Sequence, residues 1–414
     1  MANRIFVLCD YPFPEGMAPT NRILAYAKGL NNNITCEVLT FTPMPKDSSE
    51  GVKLKGTKNG VIYHRSHSYS PQGNKFYRVF VDLRLFRIKA IQVLLKENRL
   101  KKIDLILVSF DKPSHLMFFV PLLRLLGFTL AFISDEFPPE IRRLKPEISY
   151  LKKIFYKVVH KAFSCRITMT RTLRDYYNNE FGKKPTHILN TIVDIERFNI
   201  NRLQTQSQFV KLDKNEKIML CYMGNMELEK DNVDNIILAI NLLKLKYPNI
   251  LLHLYGTPSE KAKTIIDNLI ALHELENYVQ FKGRIPNDAV PYTLGQYNIL
   301  VTSQPKTMRA AGGFPTKLGE YLMSGVPAIA TNVGEINEYV KDNVHVFFVE
   351  PDDPVPFASK LEYVINNYEH AKSVAITARE YMCDNFSCNN VTKEMAYFLN
   401  EIIEKDLKHK ALSE

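Results

Sequence analysis

The segment GGFPTKLGEYLMSGVPAIAT, from Gly312 to Thr331, sets a glycine-rich loop between a strand-like run, ILVTS, and a helical pattern that starts near Pro315. A helix start leaves backbone N–H groups without partners and carries the positive end of the peptide dipoles, so it can hold an anion. Proline suits the first helical turn, whose N–H has no partner anyway. Lys317 adds a positive point charge, and Glu320, one turn on, can accept two hydroxyl hydrogen bonds of the kind a ribose offers. Phosphate-binding donors beside a hydroxyl-reading carboxylate suit a nucleotide diphosphate. The competing reading is an ordinary strand–loop–helix with a capped start.

Such a site needs a scaffold, and the chain alternates short apolar runs with amphipathic ones. RIFVLCD, CEVLTFT, DLILVSF and FTLAFIS read as strands in the first half; IMLCYMG, ILLHLYG, VQFKG, NILVTS, VPAIAT and VHVFFV continue the series. Helical patterns lie between them, which predicts parallel sheets covered by helices on both faces. The 414 residues give two or three domains at roughly 150 residues each. The polar, glycine-free stretch near 199–215 divides them into a domain of residues 1–200 and a domain of residues 201–387. An amphipathic tail helix (Val391, Met395, Phe398, Leu399, Ile402) within 388–414 is expected to pack back on the first domain. In open sheets of this kind ligands lie beyond the carboxyl ends of the strands.

The formal charge of +10 is unevenly shared: residues 1–200 hold 32 basic and 17 acidic side chains, residues 201–414 hold 22 and 27. Different partners for the two halves follow. The six cysteines are scattered without a CxxC pair, which suits reduced thiols in the cytoplasm. No run is long and apolar enough for a membrane span, since His115–Ile133 is broken by Pro121 and Arg124. The amino-terminal apolar run is too short for a signal peptide.

The glycine-rich block resembles the signature of the family-4 retaining glycosyltransferases, which have the two-domain GT-B fold. The likeness is to a subset reading FPxK…EYLxxGxP, here Phe314-Pro315-Thr316-Lys317, Glu320-Tyr321-Leu322 and Gly325-Val326-Pro327. Further segments are similar at the right intervals. YMGNMELEKDNVD resembles the turn that carries Gly224 and a diphosphate-binding lysine, here Lys230; Asn225 stands where arginine is common. VQFKGRIPNDAVPY resembles the base-holding loop, with Arg284 and Ile285 as the contact positions. NTIVDIERF resembles the interdomain hinge, with Thr191 in place of its glycine. DYPFPEG resembles the loop that closes over the donor phosphates, with Gly16 in it. The resemblance covers roughly residues 1–400. It implies an α/β GT-B chain of two facing Rossmann-like domains with a deep cleft, donor contacts also at Gly312, Gly313, Phe314, Pro315 and Thr316, and no metal or cofactor. The donor would be a nucleotide diphosphate sugar of the UDP or GDP type. Gly312 replaces the glutamate that the family uses near the donor sugar.

On the acceptor side, Asp111 and His115 lie where relatives carry a histidine, and ISDEFPPE resembles the RDLWPE turn of the subset. Asp135 would there accept or orient the acceptor hydroxyl's proton, as a catalytic residue together with Lys230. Capping or structural roles compete for all three. Two basic, aromatic stretches, residues 74–102 and 140–163, place Leu151, Ile154, Phe155, Val158 and Val159 on one helical face flanked by Lys152, Lys153, Lys157 and Lys161. That pattern suits an anionic membrane surface, although an ordinary domain helix with solvated lysines looks the same. No nucleic-acid-reading motif accompanies the charge.

The sequence thus predicts a bacterial, metal-independent glycosyltransferase that is cytoplasmic and peripheral on the inner membrane face. Its acceptor would be a lipid-linked glycan in surface polysaccharide synthesis. The alternatives are a non-hydrolysing nucleotide-sugar epimerase and a degenerate, non-catalytic member that binds sugar nucleotide or membrane.

Overall fold

The computed structural model describes residues 3–42, 53–67, 83–138, 141, 149–199 and 216–411. The chain divides into two units, Met1–Ile192 with Cys388–Glu414, and Val193–Ser387.

Unit 1 runs β1 (Arg4–Cys9), α1 (Ala18–Leu30), β2 (Thr35–Thr40), β3 (Lys55–Lys58), β4 (Val61–Arg65), α2 (Leu83–Leu100), β5 (Leu105–Ser109), α3 (Pro113–Leu125), β6 (Leu130–Ser134), α4 (Tyr150–Lys161), β7 (Cys165–Thr168), α5 (Arg171–Phe181) and β8 (Thr186–Ile188). The sheet order is β3-β4-β2-β1-β5-β6-β7-β8. Every pairing is parallel except β3 with β4, a hairpin turned by Asn59-Gly60 with both residues at positive φ. Asn-Gly is the preferred dipeptide for such a turn, so this antiparallel edge, absent from the all-parallel expectation, had a local signal. β1 is buried along its whole length, as the apolar run RIFVLC requires of a strand covered on both faces.

Helix α4 corrects the predicted apolar face. Tyr156 and Val159 turn inward against the sheet, with Phe155 partly buried, whereas Leu151, Ile154 and Val158 are exposed. Helical periodicity explains the split: a domain helix needs one stripe for the core, and Tyr156, Val159 and His160 form it. The basic stretches 74–82 and 142–148 lie outside the described residues.

Unit 2 runs α6 (Ile195–Asn199), β9 (Ile218–Met223), α7 (Leu228–Asp231), α8 (Val233–Leu243), β10 (Ile250–Tyr255), α9 (Glu260–Leu272), β11 (Val279–Gly283), a 3-10 turn (Asn287–Ala289), α10 (Val290–Leu294), β12 (Ile299–Thr302), α11 (Met308–Ala311), α12 (Thr316–Ser324), β13 (Ala328–Thr331), α13 (Ile336–Tyr339), β14 (Phe347–Val349), α14 (Pro354–Asn366) and α15 (Tyr368–Phe386). Its six strands pair in parallel in the order β11-β10-β9-β12-β13-β14. The order reverses between β9 and β12, and a switch point of this kind opens a crevice at the strand carboxyl ends.

The chain then returns to unit 1 as α16 (Cys388–Ala411). Met395, Ala396, Leu399, Ile402 and Ile403 share a core with α1 and one face of the unit 1 sheet. The opposite face is covered by α2, α3, α4 and α5.

The division between units falls at Ile192/Val193 rather than near residue 200. Val193 N donates to Phe386 O at 2.9 Å and α6 is tied into unit 2 through Arg197, so the NTIVDIERF segment belongs mostly to the second unit. The polar stretch 200–215, read as the junction, lies outside the described residues.

Candidate functional site

At the switch point of unit 2, β9 ends at Met223, whose N–H donates to the Tyr321 hydroxyl at 2.8 Å, and the chain turns through Gly224. A Cβ at Gly224 would stand 2.6 Å from Lys317 Nζ, so a larger residue there would push that ammonium aside. The neighbouring turn is tighter. Gly256, at φ +129°, brings its backbone so close to Gly224 that a Cβ would overlap the Gly224 carbonyl oxygen.

Lys317 does not stand alone. Its Nζ donates to Asp231 Oδ1 at 2.5 Å and to the Tyr222 hydroxyl at 2.8 Å, and lies 4.5 Å above the Tyr222 ring centre. Asp231 is fully buried. Burial alone would raise its pKa, but the Lys317 ammonium and its hydrogen bond outweigh that and hold it below the usual carboxylate value. Burial lowers the pKa of Lys317, and Asp231 opposes that shift. Asp231 carried no signal of its own in the sequence, because the pairing spans 86 positions. Lys230, next to it on α7, is half-buried, and its positive charge bears on both members of the pair. Asn225 is exposed.

The glycine-rich loop differs from its predicted form in two respects. A short helix, α11, intervenes between β12 and Gly312, and Pro315 is the N-cap of α12 rather than a residue of its first turn. Pro315 supplies no side-chain cap, so the first N–H groups of α12 depend on other partners; Leu318 N turns back to Pro315 O. Gly312, Phe314 and Pro315 are buried, Gly313 is half-buried, and Thr316 is exposed. A Cβ built on Gly313 meets nothing within 4 Å, so this position borders open space.

Glu320, expected as a free hydroxyl reader, accepts from Arg197 Nη1 through Oε1 at 2.8 Å. Arg197 Nη2 donates to the backbone oxygen of Asn287 at 3.0 Å, in the turn that follows Arg284 and Ile285. Arg284 is exposed and Ile285 half-buried. The structure therefore brings Gly224, Lys317 and Asp231 together, and separately links Glu320 to the 284–287 loop.

In unit 1, β1 is followed by Asp10, and β5 is followed by Phe110, Asp111, Lys112 and α3. Lys112 Nζ lies 2.8 Å and His115 Nδ1 3.4 Å from Asp10 Oδ2. The His115 ring packs edge-on against Phe41 and Phe110. Burial lowers the His115 pKa below the usual histidine value, against the pull of Asp10. Burial would raise Asp10, but His115 and Lys112 together hold it below the ordinary carboxylate value. Asp10, an acid directly after a strand's apolar run, is thus the carboxylate beside His115, and Asp111 is half-buried.

Asp135, at the end of β6, accepts from Arg22 Nε at 2.9 Å, and Arg22 also donates to the backbone oxygens of Leu189 and Asn190. Its carboxylate is therefore already engaged with a buried guanidinium. Gly16 has a packing reason: a Cβ would overlap Thr20 Oγ1, whose hydroxyl donates to Pro12 O at 2.7 Å.

Glu37, His64 and Glu97 have ligand atoms within 4.8 Å of one another. The Arg4 guanidinium bonds both carboxylates and Lys55 adds a second cation, so the charge there is already balanced by protein groups. A cavity of about 440 Å³ lined by Asn332, Asn337, Glu350 and Lys360 contains none of the predicted site residues.

With this geometry in place, comparison with known proteins bears on unit 2 first. Residues 204–381 match the family model described as glycosyl transferases group 1. The match is confined to unit 2 and covers less than half of the chain. No curated protein matches the chain in sequence. Solved structures match nearly its whole length. Sucrose-phosphate synthase from Thermosynechococcus elongatus is 14% identical, with 97% of this chain and 100% of that chain covered and a TM-score of 0.73. Anabaena HepE, in complex with UDP and glucose, is 15% identical with 96% and 100% covered and a TM-score of 0.70. A S. aureus TarM variant in complex with Fondaparinux, alpha-GlcNAc-glycerol and UDP is 13% identical, with 96% and 100% covered and a TM-score of 0.65. At these identities the likeness shows the fold. The chain has the two-domain α/β GT-B fold, with two parallel-sheet domains and a helical carboxyl terminus. Among the described residues no helix is long and apolar enough to cross a membrane.

Proposed function

We propose that the chain is a retaining, metal-independent glycosyltransferase that uses a nucleotide diphosphate sugar of the UDP or GDP type and no separate cofactor. The observation that carries this reading is the cluster at the β9–β12 switch point: Gly224, Lys317 and Asp231 beside the start of α12, inside the region that matches the group 1 glycosyl transferase model. Transfer leaves negative charge on the departing diphosphate. Lys230, Lys317 and the N–H groups at the start of α12 would stabilise it electrostatically, a task suited to donors fixed in advance. Asp231 holds the Lys317 ammonium in place and limits the net positive charge of the site. Asn225, Gly312, Gly313, Phe314 and Thr316 would line the donor. The neighbours' complexes with UDP support a nucleotide donor of this class.

The acceptor would be a lipid-linked glycan in bacterial surface polysaccharide synthesis, with the enzyme cytoplasmic and peripheral on the inner membrane face. Support comes from the sheet face of unit 1 that carries α2, α3 and α4. Leu85 and Ile88 on α2, Met117 and Leu125 on α3, and Leu151, Ile154 and Val158 on α4 are all exposed there. α4 has four lysines and no acidic residue. Apolar side chains among lysines suit an anionic bilayer surface. Asp135, Asp111 and His115 would serve the acceptor side.

Release of sugar from uridine and guanosine diphosphate sugars, with a lipid-linked acceptor, tests the reading. Lys230→Ala and Glu320→Ala should each abolish transfer with the fold intact; full activity in both would mean the donor site is elsewhere. Binding of UDP or GDP without any transfer would favour a non-catalytic member. Co-sedimentation with liposomes containing phosphatidylglycerol should capture the chain at low salt, and no capture would remove the membrane part.

A further inference from the structure

We propose that Arg197 determines recognition of the nucleoside half of the donor by clamping the Glu320 carboxylate to the 284–287 loop. The inference rests on the reading that Glu320 and that loop hold a nucleoside diphosphate. It adds a residue that touches neither phosphate nor sugar.

The geometry is specific to a guanidinium. Nη1 donates to Glu320 Oε1 at 2.8 Å while Nη2 donates to Asn287 O at 3.0 Å. One rigid, planar group thus joins the middle of α12 to the turn after β11, two segments that no strand pairing connects. A lysine offers a single ammonium on a flexible stem and lacks the fixed fork that spans both acceptors. The Arg197 side chain is 16% exposed and that of Glu320 29% exposed, so the link is partly shielded from water.

The clamp has two consequences for a bound ribose. With Oε1 engaged by Arg197, Oε2 has no hydrogen-bond partner among the described residues and stays available as an acceptor for a hydroxyl. The distance between that acceptor and the backbone at 284–287 is also set by one side chain. A nucleoside must meet both at once, so a change in either displaces base or ribose from its contacts. Lys317 and Asp231, by contrast, bond to each other, and Arg197 bonds to Glu320 and the backbone at Asn287. Arg197 is therefore a positioning residue for the nucleoside, with no part in holding the diphosphate.

Binding measurements on the full chain separate these roles. The probes are uridine and guanosine diphosphates, their 2′-deoxy forms, and inorganic pyrophosphate. The wild type should prefer the ribonucleoside over the 2′-deoxy form. Arg197→Ala should weaken nucleoside diphosphate binding roughly 10-fold or more, as loss of a charged hydrogen bond predicts, and erase the ribose preference. Pyrophosphate affinity should stay within about twofold, since the phosphate groups bind elsewhere. Arg197→Lys should recover only part of the loss. Should Arg197→Ala fold poorly, Arg197→Gln, which keeps a polar side chain but not the guanidinium fork, provides the same readout: loss of ribose preference with pyrophosphate binding kept. A retained ribose preference in Arg197→Ala, or a parallel loss of pyrophosphate binding, would overturn the inference alone. A wild type that binds pyrophosphate but no nucleoside diphosphate would overturn the nucleotide-donor reading and this inference with it.

Discussion

Lys317 Nζ and Asp231 Oδ1 stand 2.5 Å apart against the backbone of Gly224, an ion pair of a buried carboxylate and a largely shielded ammonium at the point where the unit 2 sheet reverses its strand order. Removing one member leaves the other charge buried and uncompensated, which typically costs about 3–5 kcal/mol. Asp231→Asn and Lys317→Met should therefore each destabilise unit 2 strongly. The double variant should lose clearly less than the two single losses together, because neither charge is then stranded. Denaturant unfolding of the four proteins measures this; simple additivity would refute the coupling. The pair also fixes a pH dependence. Asp231 has a depressed pKa in the folded chain, so its contribution is present above the unfolded carboxylate range and is lost as pH falls through the folded value.

The two glycine turns beside that pair should respond differently to the same substitution. Gly256→Ala places a Cβ on the Gly224 carbonyl oxygen at a backbone φ of +129° and should destabilise by more than about 2 kcal/mol. Gly313→Ala adds its methyl to open space and should leave stability within about 0.5 kcal/mol. If Gly313 borders the donor, that methyl should still raise KM for the nucleotide sugar. Thermal unfolding and donor titration of the two variants separate the effects, and equal stability losses would contradict the geometry.

These residues also mark how far the sequence could be read. Lys317 and Glu320 were visible because a loop, a proline and a helix start are local signals, each confined to a few positions. The partners that define their chemistry were not visible. Asp231 lies 86 positions from Lys317 and Arg197 123 positions from Glu320, and no periodicity encodes such pairings. The β3–β4 hairpin was a different kind of miss, because its Asn-Gly turn is a local signal that went unread. On α4, Leu151, Ile154 and Val158 keep the outer face that the sequence pattern assigns, whereas Phe155 is partly buried and Val159 turns into the core. Two apolar stripes share one helix there, and only packing against the sheet shows that Val159 points in and Val158 out.

His160 gives unit 1 a predictable sensitivity to acid. It is buried, stacks on Phe181 with ring centres 5.0 Å apart, and is held well below the usual histidine pKa by burial and by the neighbouring Arg166. Above the unfolded histidine value of about 6.5 neither state carries the proton. Below it the unfolded chain takes up a proton that the folded chain refuses, so stability falls with falling pH by up to about 1.4 kcal/mol per unit. His160→Phe keeps a ring on Phe181 and removes the titration. Its stability should change less than that of the wild type between pH 7 and pH 5. Parallel profiles would show that His160 is protonated in the folded chain.

Asp10 and His115 offer the sharpest test of the acceptor side. His115 is kept largely neutral by burial, and Asp10 Oδ2 lies 3.4 Å from its Nδ1 and 2.8 Å from Lys112 Nζ. A neutral imidazole oriented by a carboxylate can take a proton from a hydroxyl, a contribution worth roughly 10²–10⁴-fold in rate. Asp10→Asn keeps the size of the side chain but removes the charge, so it should depress the His115 pKa further and loosen the ring's orientation. If this cluster serves the acceptor, kcat should fall by about 10-fold or more, and His115→Ala should fall further still. The acid limb of the kcat–pH profile should also move to lower pH in Asp10→Asn. Donor KM and pyrophosphate binding should hold, because the residues of the donor cluster are untouched. A donor KM that rises as kcat falls would place Asp10 with the nucleotide, and an unchanged kcat would leave Asp135 as the acceptor-side carboxylate to examine.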